Sequence, residues 1–148
     1  MPVPQRLTLV TLGVADMDRA RVFYVDGLGW RPSAASNAQV VFFDMGGVVF
    51  GLHPRDMLAE DAGLPPEKTD AFSGVTVAIN MDSEAEVDSA LAAAVAAGGS
   101  LIKPAERKHW GGYGGYVADP DGHAWEIAYN PYAPLDADGR MTLPPPAS

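Results

Sequence analysis

Apolar residues recur along this chain in two alternating rhythms, and the order of the rhythms repeats. Leu7 to Gly13 is a branched, threonine-interleaved run suited to a strand with unequal faces. Asp16 then offers an N-cap, and Met17, Ala20 and Tyr24 recur at helical spacing until Gly27, Leu28 and Gly29 close the segment. Trp30 to Ala34, Gln39 to Asp44 and Val48 to His53 read as three strands, separated by Ser36-Asn37 and by Gly46-Gly47. Arg55 to Asp70 is polar and contains prolines, and reads as connecting chain.

The order then restarts. Gly74 to Asn80 is another apolar run, and Ser83 with Glu86 has capping-box spacing. Val87, Leu91, Ala94 and Val95 form an apolar stripe that Gly98-Gly99 ends. Ser100 to Lys103, Tyr113 to Ala118 and Ala124 to Tyr129 supply three more strands, with Asp119-Pro120-Asp121-Gly122 turning between the last two. Val14-Ala15-Asp16 corresponds to Asn80-Met81-Asp82, and Phe43-Asp44-Met45-Gly46-Gly47 to Ala118-Asp119-Pro120-Asp121-Gly122. This match sets Phe50 opposite Trp125, Gly51 opposite Glu126 and Leu52 opposite Ile127. The expected class is α+β: two tandem βαβββ modules in a single domain spanning 5–131. Module one covers 5–56, a linker 57–72 and module two 73–131, with a proline-rich tail over 132–148 in which neither helix nor sheet continues.

Composition narrows the function. The 148 residues are 47% hydrophobic, enough for one globular core, and contain no cysteine, which excludes thiol catalysis, disulfides and cysteine-based zinc sites. A formal charge of -9 opposes contact with nucleic acid or anionic membrane, so the expected partner is a small molecule. The N-terminus carries no recognisable export signal and no run is long enough to span a bilayer, so a cytoplasmic protein is expected.

Several segments together resemble the vicinal-oxygen-chelate superfamily, the glyoxalase/bleomycin-resistance/extradiol-dioxygenase group. These are Leu12-Gly13-Val14-Ala15-Asp16, Phe23-Tyr24, Leu28-Gly29-Trp30, Gly98-Gly99, Gly115 through Gly122, and Trp125-Glu126-Ile127. The resemblance covers the chain to Pro131 and implies sheets curled into a half-open barrel around a concave ligand cavity. It also implies a homodimer. Alternation in the last strand puts Trp125, Ile127 and Tyr129 on one face, and Ala124, Glu126 and Ala128 on the other.

Family enzymes hold a divalent metal with one side chain from the first strand and one from the last strand of each module. Such a metal chelates neighbouring substrate oxygens. Carried over, those positions are Leu9, Gly51, Glu126, and Val75 or Thr76 with a one-residue slip in register. Only Glu126 offers a ligand, so the resemblance implies the fold without its usual metal, and the reading is of a chain with no metal cofactor. His53 lies two residues beyond Gly51 on the same strand face, so a displaced site using Glu126, His53 and His109 stays open beside the ordinary fate of a strand-end histidine bonded to a carbonyl near Pro54. Glu126 itself reads equally as a ligand-binding carboxylate or an unused remnant, with a general base behind both.

Lys108 to Tyr116 joins aromatics to four glycines. Trp110 or Tyr113 there suits stacking on a planar ligand, or the segment is a bent strand. The first expectation is a binder of a small, planar or cationic molecule in the cavity. The candidate residues are Glu126, His53, Leu9, Gly51, Thr76, Trp110 and Tyr113. A lyase, isomerase or dioxygenase with a rebuilt metal site is the alternative, and a non-catalytic regulatory module the third.

Overall fold

The computed structural model describes residues 3–147, which fall into two units, Met1–Ala71 and Phe72–Ser148. In the first, β1 (Leu9–Val14) pairs in parallel with β3 (Val49–Pro54), and β3 pairs antiparallel with β2 (Val41–Asp44), giving the order β1-β3-β2. Between β1 and β2 runs α1 (Met17–Arg21), capped by Asp16, whose carboxylate accepts the Arg19 amide at 3.1 Å. The helix widens into a π-helical stretch, Val22–Gly27, that buries Phe23 and Tyr24. The register of the strands assigns their faces. Val10, Leu12, Val14, Val41, Phe43, Phe50 and Leu52 share one side, and Tyr24 packs on it with ring-centre distances of 5.4 Å to Phe50 and 6.3 Å to Phe43. Trp30 closes the cluster at 5.4 Å from Tyr24 and 5.7 Å from Phe43. Each ring so buried contributes roughly 2 kcal/mol by area alone, which makes this cluster the main support of the unit.

Trp30 to Ala34 does not form the expected strand. Pro32 has no amide to donate, and only the Ser33 amide reaches Phe42, at 2.7 Å. The Phe42 amide is taken instead by the Ser36 hydroxyl at 2.9 Å, a side chain substituting for a ladder partner. The stretch read as a polar connection also differs, because it opens with α2 (Arg55–Ala62). Pro54 precedes this helix, and Gly63 ends it in the left-handed conformation at φ 71°. Arg55 is held by its guanidinium, which donates to the carbonyls of Pro66 (3.0 Å) and Glu67 (3.3 Å).

The second unit is a four-stranded sheet in the order β4-β7-β6-β5, made of β4 (Val77–Asn80), β5 (Ser100–Arg107), β6 (Tyr113–Ala118) and β7 (Ala124–Tyr129). The parallel β4–β7 pair repeats the β1–β3 pair, and the β6–β7 hairpin repeats β2–β3. α3 (Glu84–Ala96) starts at Ser83, whose hydroxyl accepts the Glu86 amide at 3.2 Å. Glu86 reaches back to the Asp82 amide at 2.9 Å, one residue before the reciprocal partner of an ideal capping box. α3 covers the face carrying Gly115, Val117, Trp125 and Ile127, where a Cβ on Gly115 would stand 2.9 Å from Leu91. Edge strand β5 runs four residues beyond the expected Lys103, through register shifts on either side of Lys103, the second spanning Pro104.

The two hairpin turns share a device. Asp119, buried, accepts the amides of Asp121 (2.9 Å) and His123 (2.8 Å), and Gly122 completes the turn at φ 86°. Asp44, exposed, accepts the Gly46 amide at 2.9 Å. The proline-rich tail, read as free of regular structure, carries a small turn. Asp136 accepts the amides of Asp138 and Arg140, each at 2.9 Å, and Leu135 bridges Met141. No helix among the described residues is long and apolar enough to cross a membrane.

Candidate functional site

Each sheet has a second face turned away from its helix-covered core, and the carried-over positions lie on these faces. In the first unit, register aligns Thr11 with Gly51 and Gly13 with His53, so Leu9, Thr11, Gly51 and His53 alternate onto one side. Phe42 stands opposite Gly51 from β2. A Cβ built on Gly51 would meet Thr11 Oγ1 at 3.3 Å, Leu9 Cδ1 at 3.5 Å and Phe42 Cδ1 at 3.6 Å. The position that in family enzymes holds a metal ligand is thus bare backbone ringed by two apolar side chains and one hydroxyl. α2 begins on this same face, with Arg55 Cα 3.2 Å from where a Gly13 Cβ would be. His53 Nδ1 lies 3.2 Å from the Pro54 carbonyl oxygen, a contact that ties the ring to its own strand end.

In the second unit two of the three equivalent places are polar. Register pairs Ala78 with Glu126 from β4 and Tyr116 with Glu126 from β6, so Ala78, Tyr116 and Glu126 hold the places of Thr11, Phe42 and Gly51. The same register makes Thr76, rather than Val75, the counterpart of Leu9. The Tyr116 hydroxyl donates to Glu126 Oε2 at 3.0 Å, in a partly buried setting. Burial, then the hydrogen bond to Glu126 and its negative charge, raise the Tyr116 pKa above the ordinary phenol value, so the phenol stays protonated and remains a donor at neutral pH. Among the described residues Glu126 Oε1 makes no hydrogen bond.

β5 brings cations to this face. Lys103 is the register partner of Tyr116, and Glu106 that of Gly114. Lys103 Nζ lies 2.7 Å from Glu106 Oε1, and Lys108 Nζ lies 3.8 Å from the same oxygen and 5.5 Å from the centre of the Tyr116 ring. The Lys108 side chain is only 13% exposed, whereas those of Lys103 and Glu106 are about half exposed. Glu106 is held below its usual carboxylate range, first by its hydrogen bond with Lys103 and then by that charge.

Two aromatic candidates sit elsewhere. Tyr113 is on the helix-covered face, its hydroxyl donating to Asp88 Oδ1 of α3 at 2.6 Å, so it does not stand beside Glu126. Trp110 folds over its own chain, with its ring occupying the space above Gly112, while Tyr132 fills the space above Gly111. The glycines of this segment therefore admit the protein's own rings and, at Gly114 and Gly115, closely packed neighbouring strands. His109 is exposed.

Sequence reasoning missed Tyr116, Lys103 and Lys108 as neighbours of Glu126. The hairpin could have supplied the first of them. With Asp119 turning the chain, counting back from Ala118 opposite Ala124 sets Tyr116 opposite Glu126.

The donor set does not fit a divalent metal. Among the described residues no three His, Asp or Glu side chains come together. The neighbourhood of Glu126 offers a protonated phenol and two ammonium groups, whose charge opposes a bare cation.

A family profile described as the Glyoxalase/Bleomycin resistance protein/Dioxygenase superfamily matches residues 6–127. Among solved structures, a glyoxalase-related enzyme from Fulvimarina pelagi is 40% identical, with a TM-score of 0.85, over 95% of this chain and 99% of that one. A lactoylglutathione lyase from Agrobacterium tumefaciens is 26% identical, with a TM-score of 0.64, over 88% and 96%. A family enzyme from Burkholderia phytofirmans PsJN, 20% identical with a TM-score of 0.72 over 82% and 96%, shares the fold. No functionally curated protein matches the chain. With the doubled sheet unit, the hairpin turns and the profile match in agreement, the chain belongs to the glyoxalase/bleomycin resistance protein/dioxygenase superfamily.

Proposed function

We propose that this chain binds a small organic molecule through Glu126 on the open face of its second sheet, without the divalent metal of the family's enzymes. The observation that carries this reading is the Tyr116–Glu126 hydrogen bond at 3.0 Å. It fixes one carboxylate oxygen and leaves the other to accept from a ligand. A divalent ion needs several hard donors, and Glu126 supplies one. A protonated amine or an amide N–H on an organic ligand needs only the one free oxygen, and a charge-assisted bond of that kind contributes about 1.5–3 kcal/mol. The counterpart of Glu126 in the first unit is a glycine flanked by Leu9, Thr11 and Phe42 and offers no such carboxylate. A planar molecule with a cationic or donating head matches this chemistry, as sequestration by the family's bleomycin-resistance members would require. A cytoplasmic homodimer is the expected setting.

A second reading is favoured by the description of the 40% identical relative as a glyoxalase-related enzyme. It would make the chain a lyase, isomerase or dioxygenase with a rebuilt metal site. Equilibrium binding of aromatic cations separates the two. Benzylamine should bind the metal-free protein and outbind benzyl alcohol, and Glu126→Gln should weaken benzylamine about ten-fold while leaving the alcohol unchanged. Equal binding of the two compounds, or an unaltered Glu126→Gln variant, would remove Glu126 from the ligand site.

A further inference from the structure

The face around Glu126 is not simply acidic. Two carboxylates, Glu106 and Glu126, share it with two ammonium groups, Lys103 and Lys108. The four are ordered along the sheet. Glu126 lies at the phenol oxygen of Tyr116, and Lys103 and Lys108 lie on the β5 side of that residue with Glu106 between them. Glu126 thus meets Tyr116 from β7, while the lysines approach it from the β5 side, where Lys103 is already paired with Glu106. An isolated cation gains from Glu126 but meets the lysines, and an isolated anion meets the reverse. A molecule with a charge at each end gains at both.

The two lysines differ in what they have left to offer. Lys103 is paired with Glu106 at 2.7 Å, is half exposed, and is held above its usual ammonium range chiefly by that bond. Lys108 stands at 3.8 Å from Glu106, beyond hydrogen-bond length, and its side chain is 13% exposed. A lysine whose side chain is so largely buried, and which is only loosely paired, gains more from a new anionic partner than an exposed one does.

We infer that this face takes a dipolar ligand, a planar molecule bearing a protonated amine and a carboxylate at opposite ends, with the amine on Glu126 Oε1 and the carboxylate on Lys108 Nζ. The inference rests on the reading of Glu126 as a ligand-binding carboxylate and adds the second contact and the class of ligand.

A matched trio with a common ring tests it on the full chain at low salt: 4-(aminomethyl)benzoate, benzylamine and benzoate, each titrated by calorimetry. The zwitterion should bind at least about ten-fold tighter than either single-charge compound. Lys108→Met, which keeps the aliphatic stem over Tyr116, should bring the zwitterion down to the affinity of benzylamine while benzylamine itself stays the same or improves. Lys108→Arg should restore the preference, and the unliganded melting temperature of each variant checks that folding is intact. If benzylamine binds as tightly as the zwitterion, or Lys108→Met lowers neither, the dipolar assignment is wrong and the Glu126 site stands. If none of the three binds, both readings fall together. If Lys108→Met does not fold, Lys108→Gln takes its place with the same expected pattern.

Discussion

The two units share a strand order and a pairing register, yet their open faces have diverged in chemistry. On the first, Leu9, Thr11, Phe42 and Gly51 make an apolar surface with one hydroxyl; on the second, Ala78, Tyr116 and Glu126 make a hydrogen-bonded carboxylate site with lysines at its margin. The backbone frame specifies where side chains point, and the helix-covered faces, with Tyr24, Phe43 and Phe50 in one unit and Val117, Trp125 and Ile127 in the other, hold that frame. The chemistry of each open face then differs through a few residues, Gly51 and Phe42 on one and Glu126 and Tyr116 on the other. The lesson is that a repeated backbone frame can carry a glycine at a position in one unit and a carboxylate at the matching position in the other. In the second unit, Glu126 is braced by the Tyr116 hydroxyl.

The largest effect expected from breaking the comparison comes from its glycines. A Cβ on Gly115 would lie 2.7 Å from the Lys103 carbonyl oxygen and 2.8 Å from the Ala105 nitrogen, both backbone, so the strands must move. Gly115→Ala should cost about 3 kcal/mol in urea denaturation, whereas Gly51→Ala, whose nearest neighbour is a hydroxyl at 3.3 Å, should stay within about 1 kcal/mol. Equal costs would mean that the two sheet faces are equally crowded, against the geometry.

The turns give the next effect. Asp119 is buried and accepts two amides, and Asp44 is exposed and accepts one. Asp119→Ala should cost about 2 kcal/mol and Asp44→Ala about 0.5 kcal/mol, measured side by side by chemical unfolding. A reversed order would show that the repeated turn is held by something other than its aspartate.

The smallest effect is one of pH. Because Tyr116 ionises above the normal phenol value in the folded state, the unfolded chain loses that proton first as pH rises. Its contribution to stability is therefore complete below the ordinary tyrosine pKa and is lost as pH climbs through the folded one. The stability difference between wild type and Tyr116→Phe should be flat through neutral pH and shrink in strong base. A difference that changed between neutral and mildly basic pH would contradict the assigned direction.

The doubled plan was legible because periodicity and capping residues are local: Asp16 and Ser83 open their helices as read, and the last strand, Ala124–Tyr129, has the bounds its alternation gives. Where the reading failed, a nonlocal competitor decided the outcome. Ser36 took the Phe42 amide that a strand at Trp30 to Ala34 required. α2 formed in a polar stretch with no buried stripe to announce it, stopped by Gly63 and tied down by Arg55. Of the candidate site, the position of Glu126 opposite a glycine was visible in the repeat. In the aromatic segment the glycines accommodate Trp110 and Tyr132, and strand alternation sends Tyr113 to α3 and Tyr116 to Glu126, placements that depend on pairing the sequence does not state.

The most direct test of the central claim, a family site working through one braced carboxylate and no metal, is a titration of the purified, tag-free protein with Ni, Zn, Fe(II) and Mn. Bound metal and melting temperature are followed together, since an ion held by the folded state must raise its stability. The account predicts no stoichiometric uptake and an unchanged melting temperature for wild type and Glu126→Gln alike. One equivalent of bound metal that stabilises the wild type and is lost in Glu126→Gln would contradict it and assign the chain to the family's metal-dependent chemistry.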